Sequence, residues 1–310
     1  MIYTVTLTPA LDKTVVIPDF TVDKVNRIRT IRLDPGGKGI NVSKVLKALG
    51  MDSVATGILG GGTGRYILDR LDEMHIAHDF VTVPEETRTN LKVIDDVRHT
   101  NTDINEPGAP ADPAVLRQVL DRLLSAIQPG DRVVLAGKGP AGAPDTLFGE
   151  WITLLREKGA LPYLDADAAL LVHGAAACPE MIKPNDEELS RLTGKNFSGT
   201  EDIAKAALAL CESGIHTVAV SLGADGALFA RDGEVLRGYG LSVPVGSTVG
   251  AGDSMMASFC YGDALNRSFE DTCRLSLAVS AAAVMQSGTQ PPEQADIGAL
   301  LPRVRLERIR

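Results

Sequence analysis

From about residue 112 to residue 222 the chain switches regularly between short apolar runs of strand length and longer amphipathic runs of helix length. Ala114–Ile127 reads as a helix and Arg132–Ala136 as a strand. Thr146–Lys158 is a helix, and Pro162–Leu164 begins a strand that ends at Asp165. Met181–Lys183 is a strand, a helix starts at Leu189, Ile203–Glu212 is a helix and Thr217–Ser221 a strand. This order predicts a parallel sheet with helices on both faces, joined by right-handed crossovers. Ligands of such sheets gather beyond the carboxyl ends of the strands. The turns that follow the strands are therefore where chemistry is expected.

The rest of the chain attaches to that frame. Tyr3–Leu7 is a strand, and Thr8-Pro9-Ala10-Leu11-Asp12 places Asp12 just past its carboxyl end. Thr14–Ile17 and Val25–Leu33 are strand-like, the second carrying Arg27, Arg29 and Arg32. Thr87–Ile94 and Asn101–Asn105 form another hairpin, in which Arg88 suits a bidentate contact with phosphate. Neither ribbon has enough core to stand alone. Together, residues 12–34 and 87–106 are expected to form a small sheet, a lid grown from loops of one domain spanning 1–310. Val54–Leu59 is a strand, and Gly60–Arg65 reads as a structural loop before a helix over Tyr66–Met74. It fails as a dinucleotide fingerprint because Arg65 stands where the last glycine of G-x-G-x-x-G belongs. Ala227–Ala230 and Glu234–Arg237 suggest a hairpin, Leu275–Met285 a tightly packed alanine-rich helix, and Arg303–Arg310 an edge strand or solvated tail.

Three turns stand out chemically. In Gly36-Gly37-Lys38-Gly39-Ile40-Asn41, three glycines in four positions open an amphipathic helix, apolar at Ile40, Val42, Val45, Leu46 and Leu49 and closed by Gly50. Glycines admit a ligand close to the backbone, Lys38 adds a charge, and Asn41 can bond sugar hydroxyls. This is not a P-loop, since G-x-x-x-x-G-K-[ST] is absent. The second turn is Ser247-Thr248-Val249-Gly250-Ala251-Gly252-Asp253, ahead of a helical pattern from Met255 to Leu265. A small-residue turn opening a helix offers free amides and the positive end of a dipole. Asp253 beside it reads either as a first-turn acid or as a base serving a nucleophile while the amides stabilise phosphoryl charge. The third is Lys183-Pro184-Asn185-Asp186-Glu187-Glu188.

Net charge of −9 argues against nucleic acid or an anionic membrane surface as partner. The four cysteines have neither C-x-x-C nor zinc spacing, and they read as reduced thiols of a cytoplasmic protein. No leader is expected from the strand-like start, and no apolar run approaches the roughly 20 residues that span a bilayer.

Taken as an ordered set, Gly-Gly-Lys-Gly-x-Asn near residue 40, Lys183-Pro184-Asn185-x-x-Glu188 and Thr248-Val249-Gly250-Ala251-Gly252-Asp253-Ser254 resemble the PfkB carbohydrate kinases of the ribokinase-like superfamily. The resemblance runs from Thr8 to about Met285. The Thr-Pro-Ala-x-Asp, Gly-Gly-Lys-Gly-Ile-Asn-Val and Thr-Arg-x-Asn elements are similar to its phosphosugar branch, the 1-phosphofructokinases and tagatose-6-phosphate kinases. It implies an α/β fold, a ribokinase-like three-layer α/β/α sandwich with a mostly parallel central sheet and a small β-sheet lid. It also implies a homodimer through the lid and transfer of the ATP γ-phosphoryl group to a sugar phosphate. Fructose 1-phosphate is the first expectation, with tagatose 6-phosphate or fructose 6-phosphate as alternatives and a non-catalytic sugar- or nucleotide-binding regulator as the remote one.

Carried over by the resemblance, Asp253 is the base and Gly250, Ala251 and Gly252 form the anion hole. Asp12, Gly37, Lys38, Asn41 and Asn90 hold the sugar, and Arg88 with Arg27 binds its phosphate. Asn185 and Glu188 organise Mg²⁺. Lys183, Asn185, Ser221, Gly223, Gly226, Thr248 and Ser280 lie along the nucleotide. Two departures bear on the substrate. Gly137-Lys138 replaces the branch's Gly-Ser, so that Lys138 either adds a charge for the phosphate or signals a different substrate, and Asp165-Ala166-Asp167-Ala168 replaces Asp-Thr/Ser-Ser-Gly.

Overall fold

The computed structural model describes residues 1–110 and 112–309; Arg310, the end of the expected C-terminal strand or tail, lies outside them. In chain order the elements begin with β1 (Ile2–Thr6), β2 (Ala10–Val16), β3 (Thr30–Gly36), α1 (Lys38–Ala48), β4 (Val54–Gly60) and α2 (Gly61–Glu73). They continue through β5 (Ala77–Val83), β6 (Thr89–Asp95), β7 (Thr100–Asn105), α3 (Pro113–Ala126), β8 (Arg132–Gly137) and α4 (Leu147–Glu157). Then come β9 (Leu161–Ala166), α5 (Ala168–Ala176), β10 (Met181–Ile182), α6 (Asp186–Thr193), α7 (Thr200–Glu212) and β11 (Thr217–Ser221). The chain closes with β12 (Gly226–Arg231), β13 (Glu234–Tyr239), α8 (Ala251–Ala264), α9 (Phe269–Met285), α10 (Gln294–Leu300) and β14 (Leu306–Arg308).

Ten strands form one sheet in the order β14-β13-β12-β11-β10-β9-β8-β1-β4-β5. From β5 to β11 all neighbours are parallel, while β12, β13 and β14 add an antiparallel edge. The inner strands are apolar on both faces because helices cover both. One core holds Val133, Leu135, Trp151, Ile152 and Leu164 with Val218 and Leu228; the other holds Val42, Leu46, Val134 and Tyr163 with Phe229, Met256 and Phe259.

The lid is a second sheet in the order β3-β2-β6-β7, assembled from the two chain segments expected to form it. Its central pair, β2 and β6, is parallel, and each has its own antiparallel partner. Asp12 is thus not a turn residue but the third residue of lid strand β2. Register places Asp34, Asp12, Asn90 and Asn105 in one row across all four strands.

Local chemistry moved several boundaries. The second lid strand starts at Thr30, not Val25. Before it, the Asn26 amide accepts from the Thr21 N–H at 3.0 Å and donates to the Thr21 and Lys24 carbonyls, holding a loop that contains Arg27. The Gly60–Arg65 run is the first turn of α2 rather than a loop, because Glu86 accepts from the Gly62 and Thr63 amides and caps it. The helix expected from Leu189 begins at Asp186, where Asn185 and Glu188 make a reciprocal capping box. Helix α8 likewise begins at Ala251, ahead of the expected Met255. Helices α5 and α10 were not foreseen.

The β1–β4 pairing needs a glycine. Gly57 sits at φ +140°, and a Cβ there would lie 1.9 Å from the Thr6 carbonyl oxygen. Thr6 in turn accepts the Ile40 amide at 3.0 Å and seats α1. Gly57→Ala is expected to cost about 3 kcal/mol or more through strain and backbone clash. Urea unfolding showing a loss below about 1 kcal/mol would contradict this reading of the pairing.

Candidate active site

The carboxyl ends of β1, β8, β9, β10 and β11 open into a cleft of about 500 Å³, with the lid as its far wall. The lid contributes one side of its pleat: Asp12 and Thr14, Asn90 and Lys92, and Asp103 and Asn105 alternate along β2, β6 and β7 to line it. The strand ends contribute Thr6, Gly137, Lys138, Asp165, Lys183, Asn185 and Ser221. Helix α1 presents Lys38 and Asn41, and the start of α8 presents Gly250, Gly252 and Asp253.

The glycines of the first turn are required by close approach. A Cβ on Gly36 would lie 2.2 Å from Asp12 Oδ2, and one on Gly39 would lie 2.5 Å from Thr6 Oγ1. Gly37 adopts φ +114° and packs on Thr6 and Pro9. The backbone entering α1 is therefore pressed against both the lid strand and β1, which fixes Lys38 and Asn41 relative to Asp12.

At the other end Gly250, at φ +88°, caps α8 without any side-chain hydrogen bond. A Cβ on Gly252 would meet Lys183 Nζ at 2.8 Å, so bare backbone lies against that ammonium. Amides and dipole at a helix start, with a lysine beside them, form an anion site. Asp253 is buried in this first turn and accepts a hydrogen bond from Asn41 Nδ2 at 2.8 Å. The other amide atom, Asn41 Oδ1, is buried with no partner in the protein, and so is Oδ1 of Asn90. Asn90 donates through its nitrogen to Asp12 Oδ1 at 3.0 Å. Two buried acceptors without donors, on opposite walls, suit a ligand rich in hydroxyls.

The floor carries a charge network that sequence reading did not identify. Lys38 Nζ lies 3.0 Å from Asp165 Oδ1 and 3.0 Å from Asp167 Oδ1, and Lys183 Nζ lies 3.2 Å from Asp165 Oδ2. Burial alone would raise the Asp165 carboxyl, but Lys183 and Lys38 outweigh it and hold it below the usual carboxylate range. Lys38 responds the other way: burial disfavours its charge, yet Asp165 and Asp167 keep the ammonium firmly protonated. Asp253 is pushed up to about 6, first by burial and then by the Asp165 charge, against the Asn41 hydrogen bond and the two lysines. A carboxylate of that basicity is mostly ionised at neutral pH and accepts a proton better than an ordinary one.

The other expected residues divide in two. Arg88 lines the cleft, where its guanidinium donates to the Glu106 and Thr8 carbonyls at 3.1 and 3.3 Å. Lys138 stands exposed at the rim, 3.9 Å from Asp167. Asn185 and Glu188 line the cleft but also cap α6: Asn185 Oδ1 accepts from the Glu188 amide and Glu188 Oε2 from the Asn185 amide, each at 2.8 Å. By contrast, Arg27 is exposed on the β2–β3 loop and does not reach its own cleft. Gly223, Gly226, Thr248 and Ser280 are not on the cleft wall either. Gly226 is buried with a Cβ position 2.2 Å from the Gly238 carbonyl, and the Ser280 hydroxyl donates to the Ala251 carbonyl at 3.1 Å. Gly223 and Thr248 are exposed beyond β11 and before α8. The polar lid face was readable in principle from β6, where Asn90 and Lys92 alternate with Leu91 and Val93, whereas Lys13 between Asp12 and Thr14 blurs the pattern in β2.

The profile of the pfkB family carbohydrate kinases matches residues 6–296. The chain belongs to the pfkB carbohydrate kinase family. It is 37% identical over 300 residues to a 1-phosphofructokinase of Rhodobacter capsulatus, covering 96% of this chain and 95% of that one. With the 1-phosphofructokinase of Escherichia coli strain K12 it shares 37% identity over 304 residues, 98% of this chain and 97% of the relative. Its fold is similar to phosphofructokinase-2 of Escherichia coli in complex with substrates and products, with a TM-score of 0.93 at 30% identity, covering 97% of this chain and 98% of the other. The cleft thus lies in a kinase fold, with the Asp253 carboxylate buried on its floor.

That burial has a stability cost with a definite pH signature. The folded value of Asp253, about 6, lies above the unfolded 3.8, so ionised Asp253 opposes folding fully above about pH 6 and not at all below about pH 4. Two pKa units correspond to about 3 kcal/mol. Asp253→Asn is expected to raise Tm at pH 8, with the gain shrinking as pH falls towards 4. Thermal unfolding showing a gain independent of pH, or none, would contradict this.

Proposed function

We propose that the protein transfers the γ-phosphoryl group of ATP to fructose 1-phosphate, forming fructose 1,6-bisphosphate. The observation that carries this reading is the meeting of Asp253, oriented by Asn41, with the uncapped start of α8 opposite a lid wall of sugar-binding type. Asp253 takes the proton from the attacking hydroxyl. The amides of Ala251 and Gly252 and the Lys183 ammonium lie where charge builds on the transferring group, which is the main demand of phosphoryl transfer. Asp12, Asn90, Lys38 and Asn41 hold the sugar, while Arg88 and Lys138 bracket its existing phosphate from two sides of Thr8. Similarity to relatives named 1-phosphofructokinase over nearly the whole chain supports the choice of acceptor.

For Mg²⁺, the capping box leaves Glu188 Oε1 as the one carboxylate oxygen of the pair outside the reciprocal bonds. No group of three or more metal-ligating side chains occurs among the described residues. A sparse oxygen site of this kind fits Mg²⁺, which keeps several waters and shares phosphate oxygens. When bound, the ion neutralises phosphate charge. Asn185 and Glu188 would hold it largely through water.

The same reading includes a homodimer through the lids. Val25, Ile31 and Ile104 are exposed on the lid and its loop, an apolar surface that a second copy would cover. Arg27 could then meet an acceptor phosphate only from a neighbouring copy. No helix is long and apolar enough to cross a membrane among the described residues.

A coupled assay against fructose 1-phosphate, tagatose 6-phosphate and fructose 6-phosphate is expected to give the highest kcat/KM on the first. Turnover of the other two with none on fructose 1-phosphate would overturn the assignment. Asp253→Asn should retain ATP binding and lose roughly 10²–10⁴ in kcat. In the parent, kcat/KM should fall as pH drops through about 6, where the base takes up its proton. Arg88→Ala should raise KM for the sugar phosphate by about tenfold or more, leaving KM for ATP within about twofold, as expected for loss of one charge-assisted contact.

A further inference from the structure

Lys44 is a lysine with almost no access to water, 3% exposed, on the helix that carries Lys38 and Asn41. Its ammonium donates to the Pro35 carbonyl of β3 at 2.9 Å and to Thr289 Oγ1, in the segment after α9, at 3.2 Å. The same two elements are joined twice more. Arg32 donates to Asp34 Oδ2 and to the Ser287 carbonyl, both at 2.7 Å, and Gln290 donates to Asp34 Oδ1. Gly288 has φ +66° and lies so near Arg32 that a Cβ would come within 2.3 Å of Nη2. Gly288 and Thr289 line the active cleft, and the end of β3 backs Asp12 through Gly36.

We propose that Lys44 is a positioning residue of the phosphoryl transfer, clamping lid strand β3 and the 286–290 segment so that the sugar-holding wall stays in register with the base. No carboxylate lies within ion-pair distance of Lys44 among the described residues. A buried ammonium without a direct counter-ion is a costly way to fill space, and an apolar side chain would serve a purely structural role better. The groups facing it are Asp34 on β3, Asp12 on β2 and Asp253 on α8, which favour its charge, and Arg32 on β3, which opposes it. Burial dominates and pushes the ammonium down to about 8. The clamp therefore holds its charge at neutral pH and loses it as pH rises through about 8.

The inference rests on the kinase reading, and the test separates the two. With the full chain, ATP and fructose 1-phosphate, the parent should lose kcat/KM for the sugar above about pH 8. Lys44→Arg, which stays charged, should keep substantial activity and shift that limb upward by at least about one pH unit, because a guanidinium keeps its proton far beyond the range in which a buried ammonium loses its own. Lys44→Met should raise KM for the sugar phosphate about tenfold more than KM for ATP and abolish the limb. A parent with no alkaline limb between pH 7 and 9.5, or a Lys44→Arg profile superimposed on the parent's, would overturn the proposal even if Lys44→Met fails to fold. Failure of the kinase reading looks different: the parent itself would turn over none of the three sugar phosphates at any pH.

Discussion

The site depends on one electrostatic arrangement, two carboxylates buried on the same floor with only enough positive charge to satisfy one of them fully. Asp165 takes Lys38 on one oxygen and Lys183 on the other. Asp253 receives a neutral amide from Asn41. The difference in partners drives their basicities apart, low for Asp165 and high for Asp253. The split leaves Asp253 the more basic of the two carboxylates, which is what the proposed base requires. The fold supplies the arrangement by bringing β9, β10, α1 and α8, distant in sequence, to one edge of the sheet.

Much of that edge was legible in the chain, because turn chemistry is local. The glycines before Lys38 and the Gly-Ala-Gly run before Asp253 announce backbone that must come close to something, and they do, against Asp12 and Thr6 in one case and Lys183 in the other. Strand–helix alternation likewise fixes a parallel sheet without knowledge of any contact. What stayed hidden was pairwise. Nothing near Asp165 in the sequence signals that its two oxygens belong to lysines 127 residues before it and 18 after it. Lys44 looks like an exposed helical lysine until the lid closes over it. Asn185 and Glu188 hid a second role of their own, a reciprocal capping box, and the helix therefore begins three residues earlier than the apolar pattern suggests.

The residues expected along the nucleotide divide by position. Ser221, Lys183 and Asn185 stand at the cleft, whereas Gly226 and Ser280 pack against neighbouring backbone and Gly223 and Thr248 are exposed outside its wall. Family motifs mix both kinds, and only geometry separates them.

The lid's inner face is polar along its length, and the floor it opposes is charged. Two such surfaces do not attract each other when wet. An empty active site therefore gains little from shutting, and the energy that draws the walls together must come from whatever bridges them.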